Sequence, residues 1–157
     1  MSRSVLFVCT GNTCRSPLAE HLYLKLAREA GLSCDASSAG TQAAIGMPLS
    51  RGAAAVFAER GVGPVAHRAR RADKALLAQA DAVYVMERAH LDDLAARFPE
   101  AAPKLFLLRE AAGLSPAEVE DPVGADAAQY RACAASIEEA LNIIVLREKE
   151  PHASNPR

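Results

Sequence analysis

Two residues of the chain could together transfer a phosphoryl group: Cys9, and Arg15 six positions later. A thiolate can attack phosphorus, and the planar fork of a guanidinium can hold two oxygens of the same phosphoryl group. Ser16 follows directly and is placed to donate a hydrogen bond to the sulfur. A buried cysteine near a surface arginine would show the same spacing without any such chemistry, so the neighbouring residues decide the interpretation.

The chain on either side of this pair predicts a turn from a strand into a helix. Val5 to Val8 is a short apolar run with the β-branched and aromatic bias of a buried strand, and a helical pattern begins at Ser16 or Pro17. Backbone N–H groups without helical partners converge at a helix start, and the helix dipole adds partial positive charge. Residues 9–15 therefore predict an anion-binding loop in which the sulfur is favoured as the thiolate.

The residues between the cysteine and the arginine suit a loop that turns its amide groups inward. Gly11 can take a positive φ at little cost, and Asn12 tolerates one better than most residues. We expect the whole segment to bind phosphate or to support the loop, which adds Thr10, Gly11, Asn12, Thr13, Cys14 and Ser16 to the candidate site.

The run from Cys9 to Pro17 resembles the phosphate loop of the low-molecular-weight protein tyrosine phosphatases. Residues 37–41, residues 67–70 and the dipeptide Asp121-Pro122 follow in the order of that family and at about its distances. The resemblance covers nearly the whole chain. It implies an α/β fold of three layers with flavodoxin-like strand order, and a phosphatase that works through a cysteinyl-phosphate intermediate.

The resemblance also implies a hydrogen-bonded set that holds the loop in its binding shape. Asn12 would sit in a strained turn, and the family places Ser38, Ser16 and His67 around it. The alternative for His67 is an ordinary loop histidine.

Asp121 is the second residue with candidate chemistry. A following proline restricts the backbone of Asp121 to extended conformations, so its carboxyl group can be held over a site. An Asp-Pro pair alone is more often an ordinary turn. The resemblance implies that Asp121 protonates the leaving group and then, as the carboxylate, activates water against the cysteinyl-phosphate. The catalytic set is therefore Cys9, Arg15 and Asp121.

Two positions depart from the tyrosine-specific members of the family. Thr13 stands where they usually have an aliphatic residue, and Val123-Gly124 follows the Asp-Pro pair where they often carry tyrosines. Fewer aromatic residues weaken the case for a slot that grips a phosphotyrosine ring. A loop threonine resembles the protein arginine phosphatases, so phosphoarginine in proteins is the leading interpretation and phosphotyrosine the alternative. An arsenate reductase-like thiol enzyme is less favoured, because residues 87–110 contain no cysteine for a relay.

The remaining cysteines and histidines have plainer interpretations. Cys9 and Cys14 could form a redox pair, because oxidants attack the thiolate and a disulfide would protect it; the alternative is that Cys14 only packs under the loop. Cys34 and Cys133 are expected as small core residues. We expect solvated side chains for His21, His90 and His152, and a solvated basic face over residues 68–74.

Length and composition predict one compact domain. The chain has 157 residues, a formal charge of -1 and half apolar residues, which predicts a single domain, residues 1–147, and a polar tail, residues 148–157. The resemblance implies that this domain is the phosphatase. No metal or cofactor is expected, and the balanced charge gives no reason to expect nucleic acid or a membrane. Four irregularly spaced cysteines favour a reducing compartment, so we expect a cytoplasmic protein. We also expect a monomer. Its expected partners are phosphorylated proteins, and its site is expected to bind phosphate or other oxyanions.

Strand and helix patterns alternate along the chain. Besides the first strand and helix, strands are predicted at residues 32–38, 82–86 and 104–108, and helices at residues 49–60, up to residue 80, and at residues 89–98 and 127–146. Alternation of this kind predicts a four-stranded parallel sheet with helices on both faces. Ligands bind outside the carboxyl ends of such strands, where Cys9, Ser38 and the loop after Leu108 would meet.

Overall fold

The computed structural model describes residues 2–150 of the chain. Strands and helices alternate as the sequence predicts. Their order is β1 Arg3–Cys9, α1 Arg15–Glu29, β2 Cys34–Gly40, α2 Arg51–Glu59, α3 Lys74–Gln79, β3 Ala82–Val85, α4 Arg88–Arg97, a 3-10 helix Pro99–Lys104, β4 Leu105–Leu107, α5 Leu108–Ala111 and α6 Ala127–Lys149.

The four strands form one parallel sheet in the order β2-β1-β3-β4. This order confirms the predicted flavodoxin-like arrangement. Strand β1 lies inside the sheet, and its residues from Val5 to Cys9 are buried, because helices cover both faces. The carboxyl ends of β1 and β2 coincide, since Cys9 pairs with Gly40.

The apolar side chains of β1 alternate between two cores. Val5 and Phe7 pack in the larger core with side chains from α1, α2 and α6, whereas Leu6 and Val8 face the second core with Leu77 of α3. The period-2 alternation of a strand therefore serves two helical layers at once. These layers confirm the three-layer architecture.

Two element boundaries differ from the sequence prediction. Strand β2 begins two residues later than predicted and runs on to Gly40, because backbone pairing with β1 determines its end and not its own weak pattern. Helix α6 runs to Lys149, beyond the predicted helix end at residue 146. Glu148 still packs there, because its Oε2 accepts a 2.7 Å hydrogen bond from Tyr23 Oη. The rest of the predicted tail, residues 151–157, lies outside the described residues.

Candidate active site

The predicted phosphate loop, residues 9–15, joins the end of β1 to the start of α1. The sulfur of Cys9 lies at the base of the loop, 3.3 Å from the backbone nitrogen of Asn12 and 3.0 Å from Ser16 Oγ. The side chain of Cys9 is 2% exposed. A thiolate cannot donate, so in that state both neighbours must donate to it. For Ser16 this means that its single hydroxyl proton turns to the sulfur and away from the carbonyl of Ala39, 3.3 Å distant.

Asn12 is the residue that takes the unusual backbone conformation. Its φ is 56°, in the left-handed region, whereas Gly11 needs no positive φ. The amide of Asn12 is fully buried and fully bonded: Nδ2 donates to Ser16 Oγ at 2.8 Å and to Ser38 Oγ at 3.0 Å. Its Oδ1 accepts the backbone N–H of Arg70 at 3.0 Å. These bonds hold a strained residue in place, which is how such conformations persist at binding sites.

His67 contacts the same turn from outside. Its Nε2 lies 2.6 Å from the backbone oxygen of Asn12, so the imidazole donates there from Nε2. The structure therefore brings the predicted set together: Asn12, Ser16, Ser38 and His67. Ser38 in turn donates to Glu20 Oε1 at 2.6 Å, an extension that the sequence pattern does not reveal.

The neighbouring end of β2 has to be glycine. A Cβ atom at Gly40 would lie 2.5 Å from the backbone oxygen of Thr10 and 3.1 Å from the nitrogen of Asn12. The missing side chain lets β2 approach the phosphate loop, and Gln42 then donates its N–H to Thr10 O at 2.9 Å. Gly40 is therefore part of the site through its shape.

Arg15 is buried, and its contacts determine which edge of the guanidinium is available. Nη1 uses both of its hydrogens, donating to Glu87 Oε2 and to the backbone oxygen of Val119, each at 2.9 Å. Nη2 lies 3.5 Å from Thr10 Oγ1. Within residues 2–150 this leaves the Nε–H and one Nη2–H without hydrogen-bond partners, and a parallel pair of this kind has the geometry to bind two oxygens of an oxyanion.

The charge of Arg15 is secured by its surroundings. Burial acts to lower the pKa of Arg15, but the negative charge at Cys9 and the carboxylates of Glu87 and Asp121 outweigh it and raise the pKa. The guanidinium therefore stays cationic at all relevant pH.

Asp121 lies above this edge of the guanidinium. Its Oδ2 is 3.7 Å from Arg15 Nη2, and its Oδ1 accepts the backbone N–H of Val123 at 3.0 Å. The carboxyl group is 45% exposed, so substrate and water can reach it. The turn made with Val123 fixes the side chain over the loop, as the Asp-Pro pair predicts.

Sequence reasoning missed three residues that contact Arg15 or its neighbour Thr10: Glu87, His90 and Val119. His90 was expected to be solvated, and that expectation is wrong. Its side chain is 3% exposed, because the first turn of α4 faces the phosphate loop. The one local pattern at these residues is the spacing of a capping box: Glu87 is followed three residues later by His90, whose side chain can accept the backbone N–H of Glu87. Nothing in that pattern shows which loop lies opposite.

Some of the other arginines and cysteines contact loops or are buried, and others are partly exposed. Arg70 Nε donates to the backbone oxygen of Ser38 at 3.0 Å, and Arg71 Nε to that of Ala43 at 3.0 Å, so the basic segment partly supports loops. Cys133 is buried as expected, whereas Cys34 is only half-buried. Cys14 is buried, and a hydrogen bond with Cys133 together with burial raises the pKa of its thiol.

Thr13 lies at the open side of the loop and is half-buried. Its backbone oxygen accepts the N–H of Ser50 at 3.0 Å, which ties the loop to the start of α2. Across the site, Val123 is 62% exposed beside Asp121. The two positions that depart from the tyrosine-specific pattern thus belong to two loops at the same edge of the sheet.

Among residues 2–150, no group of three or more His, Cys, Asp or Glu side chains is arranged to hold a metal ion. No helix in that part of the chain is long and apolar enough to cross a membrane.

Comparison with known proteins agrees with this geometry. A protein-arginine-phosphatase of Geobacillus stearothermophilus is 37% identical over 138 residues, 88% of this chain and 90% of that protein. YwlE arginine phosphatase, solved as a mutant with a phosphorylated active-site serine, superposes with a TM-score of 0.90 at 30% identity, covering 95% of this chain and 97% of the other.

The tyrosine phosphatase Wzb from Escherichia coli K30, solved in complex with sulphate, superposes with a TM-score of 0.84 at 29% identity, covering 94% and 99%. The model of the family described as low molecular weight phosphotyrosine protein phosphatase matches residues 4–150. The chain therefore belongs to the low molecular weight phosphotyrosine protein phosphatase family, and it is a protein phosphatase.

Proposed function

We propose that the enzyme removes phosphoryl groups from protein side chains through a cysteinyl-phosphate on Cys9, and that it prefers phosphoarginine to phosphotyrosine. The observation that carries the mechanism is the convergence of three groups at one loop. The sulfur of Cys9 lies beneath the loop, the free Nε–H and Nη2–H edge belongs to Arg15, and the Asp121 carboxyl group lies 3.7 Å from that guanidinium.

In the first step the sulfur attacks phosphorus while the bond to the leaving group breaks. The fork of Arg15 binds two equatorial oxygens and stabilises the charge that spreads over them. Asp121, protonated, gives its proton to the leaving nitrogen or oxygen. The S–P bond forms, and the dephosphorylated side chain departs.

In the second step water replaces the sulfur. The Asp121 carboxylate takes a proton from water, the oxygen attacks phosphorus, and the S–P bond breaks with its electron pair returning to sulfur. Ser16 Oγ, 3.0 Å from the sulfur, donates to the thiolate that re-forms. Inorganic phosphate is the product. In the solved YwlE arginine phosphatase mutant a serine that replaces a cysteine of the active site is phosphorylated, which supports a covalent phosphoryl-enzyme intermediate.

The preference for phosphoarginine rests on the walls of the site. Compared with the aliphatic residue of the tyrosine-specific members, Thr13 has a hydroxyl and less apolar bulk. Val123 offers no aromatic ring to stack on a tyrosine. The loop of Asp121 is acidic, because Glu118 and Glu120 lie within three residues of Asp121. A guanidinium leaving group is cationic and finds carboxylates there, whereas a phenol gains nothing from them.

The test is the ratio of kcat/KM for a phosphoarginine peptide to that for the matched phosphotyrosine peptide. We expect the parent to favour phosphoarginine and Thr13→Ile to shift the ratio toward phosphotyrosine. Val123→Ala serves as the control, because it changes the opposite wall without touching the loop. A parent that prefers phosphotyrosine, with no change in Thr13→Ile, would make this an ordinary tyrosine phosphatase.

A further inference from the structure

His90 is a buried histidine that the mechanism does not use. Both of its ring nitrogens are engaged: Nδ1 accepts the backbone N–H of Glu87 at 3.0 Å, and Nε2 lies 2.8 Å from Thr10 Oγ1. Because Nδ1 accepts, the ring proton of the neutral imidazole is on Nε2. His90 therefore donates to the hydroxyl of Thr10.

Thr10 stands between this histidine and the arginine of the phosphate loop. Its Oγ1 accepts from His90 Nε2 and faces Arg15 Nη2 at 3.5 Å, which occupies both lone pairs. Glu87 meanwhile binds Nη1 of Arg15. Two residues at the start of α4 thus contact both terminal nitrogens of the guanidinium, one directly and one through Thr10.

We propose that His90 is a positioning residue that acts through Thr10: it holds the hydroxyl as an acceptor for Arg15, so that the Nε–H and Nη2–H edge of the guanidinium faces the phosphoryl oxygens. The inference rests on the proposed function in that a phosphoryl group is the ligand. A residue that bonds to a ligand-binding side chain can orient that side chain without touching the substrate.

The electrostatic surroundings keep the imidazole in the required form. Burial, and then the positive charge of Arg15, lower the pKa of His90, while the carboxylates of Glu87, Glu118 and Asp93 oppose this. A proton on Nδ1 would point at the N–H of Glu87 and break that contact. Only the neutral tautomer protonated on Nε2 satisfies both partners.

Two substitutions separate the two nitrogens. In His90→Asn the amide oxygen can replace Nδ1 and still accept from Glu87, but the side chain is too short to reach Thr10. In His90→Gln the amide nitrogen can replace Nε2 and donate to Thr10. One neutral hydrogen bond contributes about 0.5–1.5 kcal/mol, so we expect kcat/KM to fall roughly 3-fold to 10-fold in His90→Asn and to stay within about 2-fold of the parent in His90→Gln.

The fall should appear in KM and in the inhibition constant of inorganic phosphate, because the lost contact orients a phosphate-binding group. Asp92→Asn, an exposed position on the same helix, is the matched control and should change neither. If His90 only caps helix α4 through Nδ1, the ranking is reversed, because Asn keeps that acceptor and Gln does not. A lower kcat/KM in His90→Gln than in His90→Asn would therefore overturn the proposal.

A double-mutant cycle gives the second readout. If His90 acts through Thr10, adding His90→Asn to Thr10→Val should cause no further loss, whereas independent losses that multiply would overturn the proposal. Calorimetry of inorganic phosphate with the Cys9→Ser protein, with and without His90→Asn, measures binding in the absence of turnover. This measurement makes failure of the inference distinguishable from failure of the proposed function. A parent without turnover ends the proposed function, whereas unchanged phosphate binding in His90→Asn ends only this inference.

Discussion

Nη1 of Arg15 lies 2.9 Å from Oε2 of Glu87, although 72 residues separate the two in the chain. The carboxylate takes one hydrogen of the guanidinium and the carbonyl of Val119 takes the other. Nη1 is therefore an anchor, and in the proposed mechanism the phosphoryl group binds at Nε and Nη2. The contacts of Nη1 therefore determine which edge of the guanidinium faces the loop.

Removing the anchor should lower activity without removing any group that touches the substrate. We expect Glu87→Ala to reduce kcat/KM about 10-fold and Glu87→Gln less than about 3-fold, because the amide oxygen can still accept from Nη1. Glu87 is 34% exposed, so its charge is partly screened and position matters more than charge. Steady-state kinetics on both variants, at a temperature where both are folded, checks this. Equal losses in the two would show that charge is the important property.

Replacing the nucleophile should separate binding from chemistry. In Cys9→Ser we expect turnover to fall by more than about 10³-fold while inorganic phosphate still binds, because the loop amides and Arg15 remain. Cys34→Ser, at a half-buried cysteine of β2, is the control and should keep full activity. Mass spectrometry of the acid-quenched parent should detect one added phosphoryl group. Substantial activity in Cys9→Ser would exclude the covalent mechanism.

Loss of the general acid should depend on the leaving group. Asp121→Asn keeps an oxygen to accept from Val123 but has no proton to give. We expect kcat to fall about 100-fold for substrates with poor leaving groups and less than about 10-fold for activated aryl phosphates. Asp92→Asn, at an exposed carboxylate on α4, is the control and should leave both rates unchanged. If the two substrate classes lose activity equally in Asp121→Asn, another residue supplies the proton.

The redox pair can be tested through recovery from peroxide. Peroxide oxidises the Cys9 thiolate to the sulfenic acid, and attack by Cys14 then forms the disulfide and releases water. Since the pKa of the Cys14 thiol is raised, this second reaction should accelerate as pH rises above neutral. We expect thiol treatment to restore activity in the parent and to restore less in Cys14→Ser. Equal recovery in both would count against the switch and leave Cys14 with a packing role.

The buried histidine should make stability depend on pH. His90 has a lowered pKa in the folded state, so between that pKa and about 6.5 the unfolded chain binds more protons, and the free energy of unfolding rises with pH. Stability should therefore be lost as pH falls through about 6.5. His90→Asn has no such proton to bind, so its unfolding midpoint in urea should fall less over the same range. Parallel curves for the parent and the variant would contradict this.

The amino-acid sequence alone was enough to bring the candidate residues of the loop together. Cys9, Asn12, Arg15 and Ser16 lie within eight consecutive residues, and a strand that turns into a helix at that point determines their geometry locally. The parallel sheet with two helical layers also follows from alternation of short apolar runs and helical patterns. Asp121 and His67 depended on the family resemblance, because no local pattern relates them to the loop.

Tertiary structure alone decided what surrounds Arg15. Because β3 lies beside β1, Val85 pairs with Val8, and the start of α4 comes next to the phosphate loop. His90 therefore becomes a buried partner of the loop and Glu87 a half-buried one, although their spacing is that of any exposed helix start. Sequence periodicity reports which face of a helix is apolar, whereas burial of polar side chains depends on which loop packs against them, and that is determined by strand order.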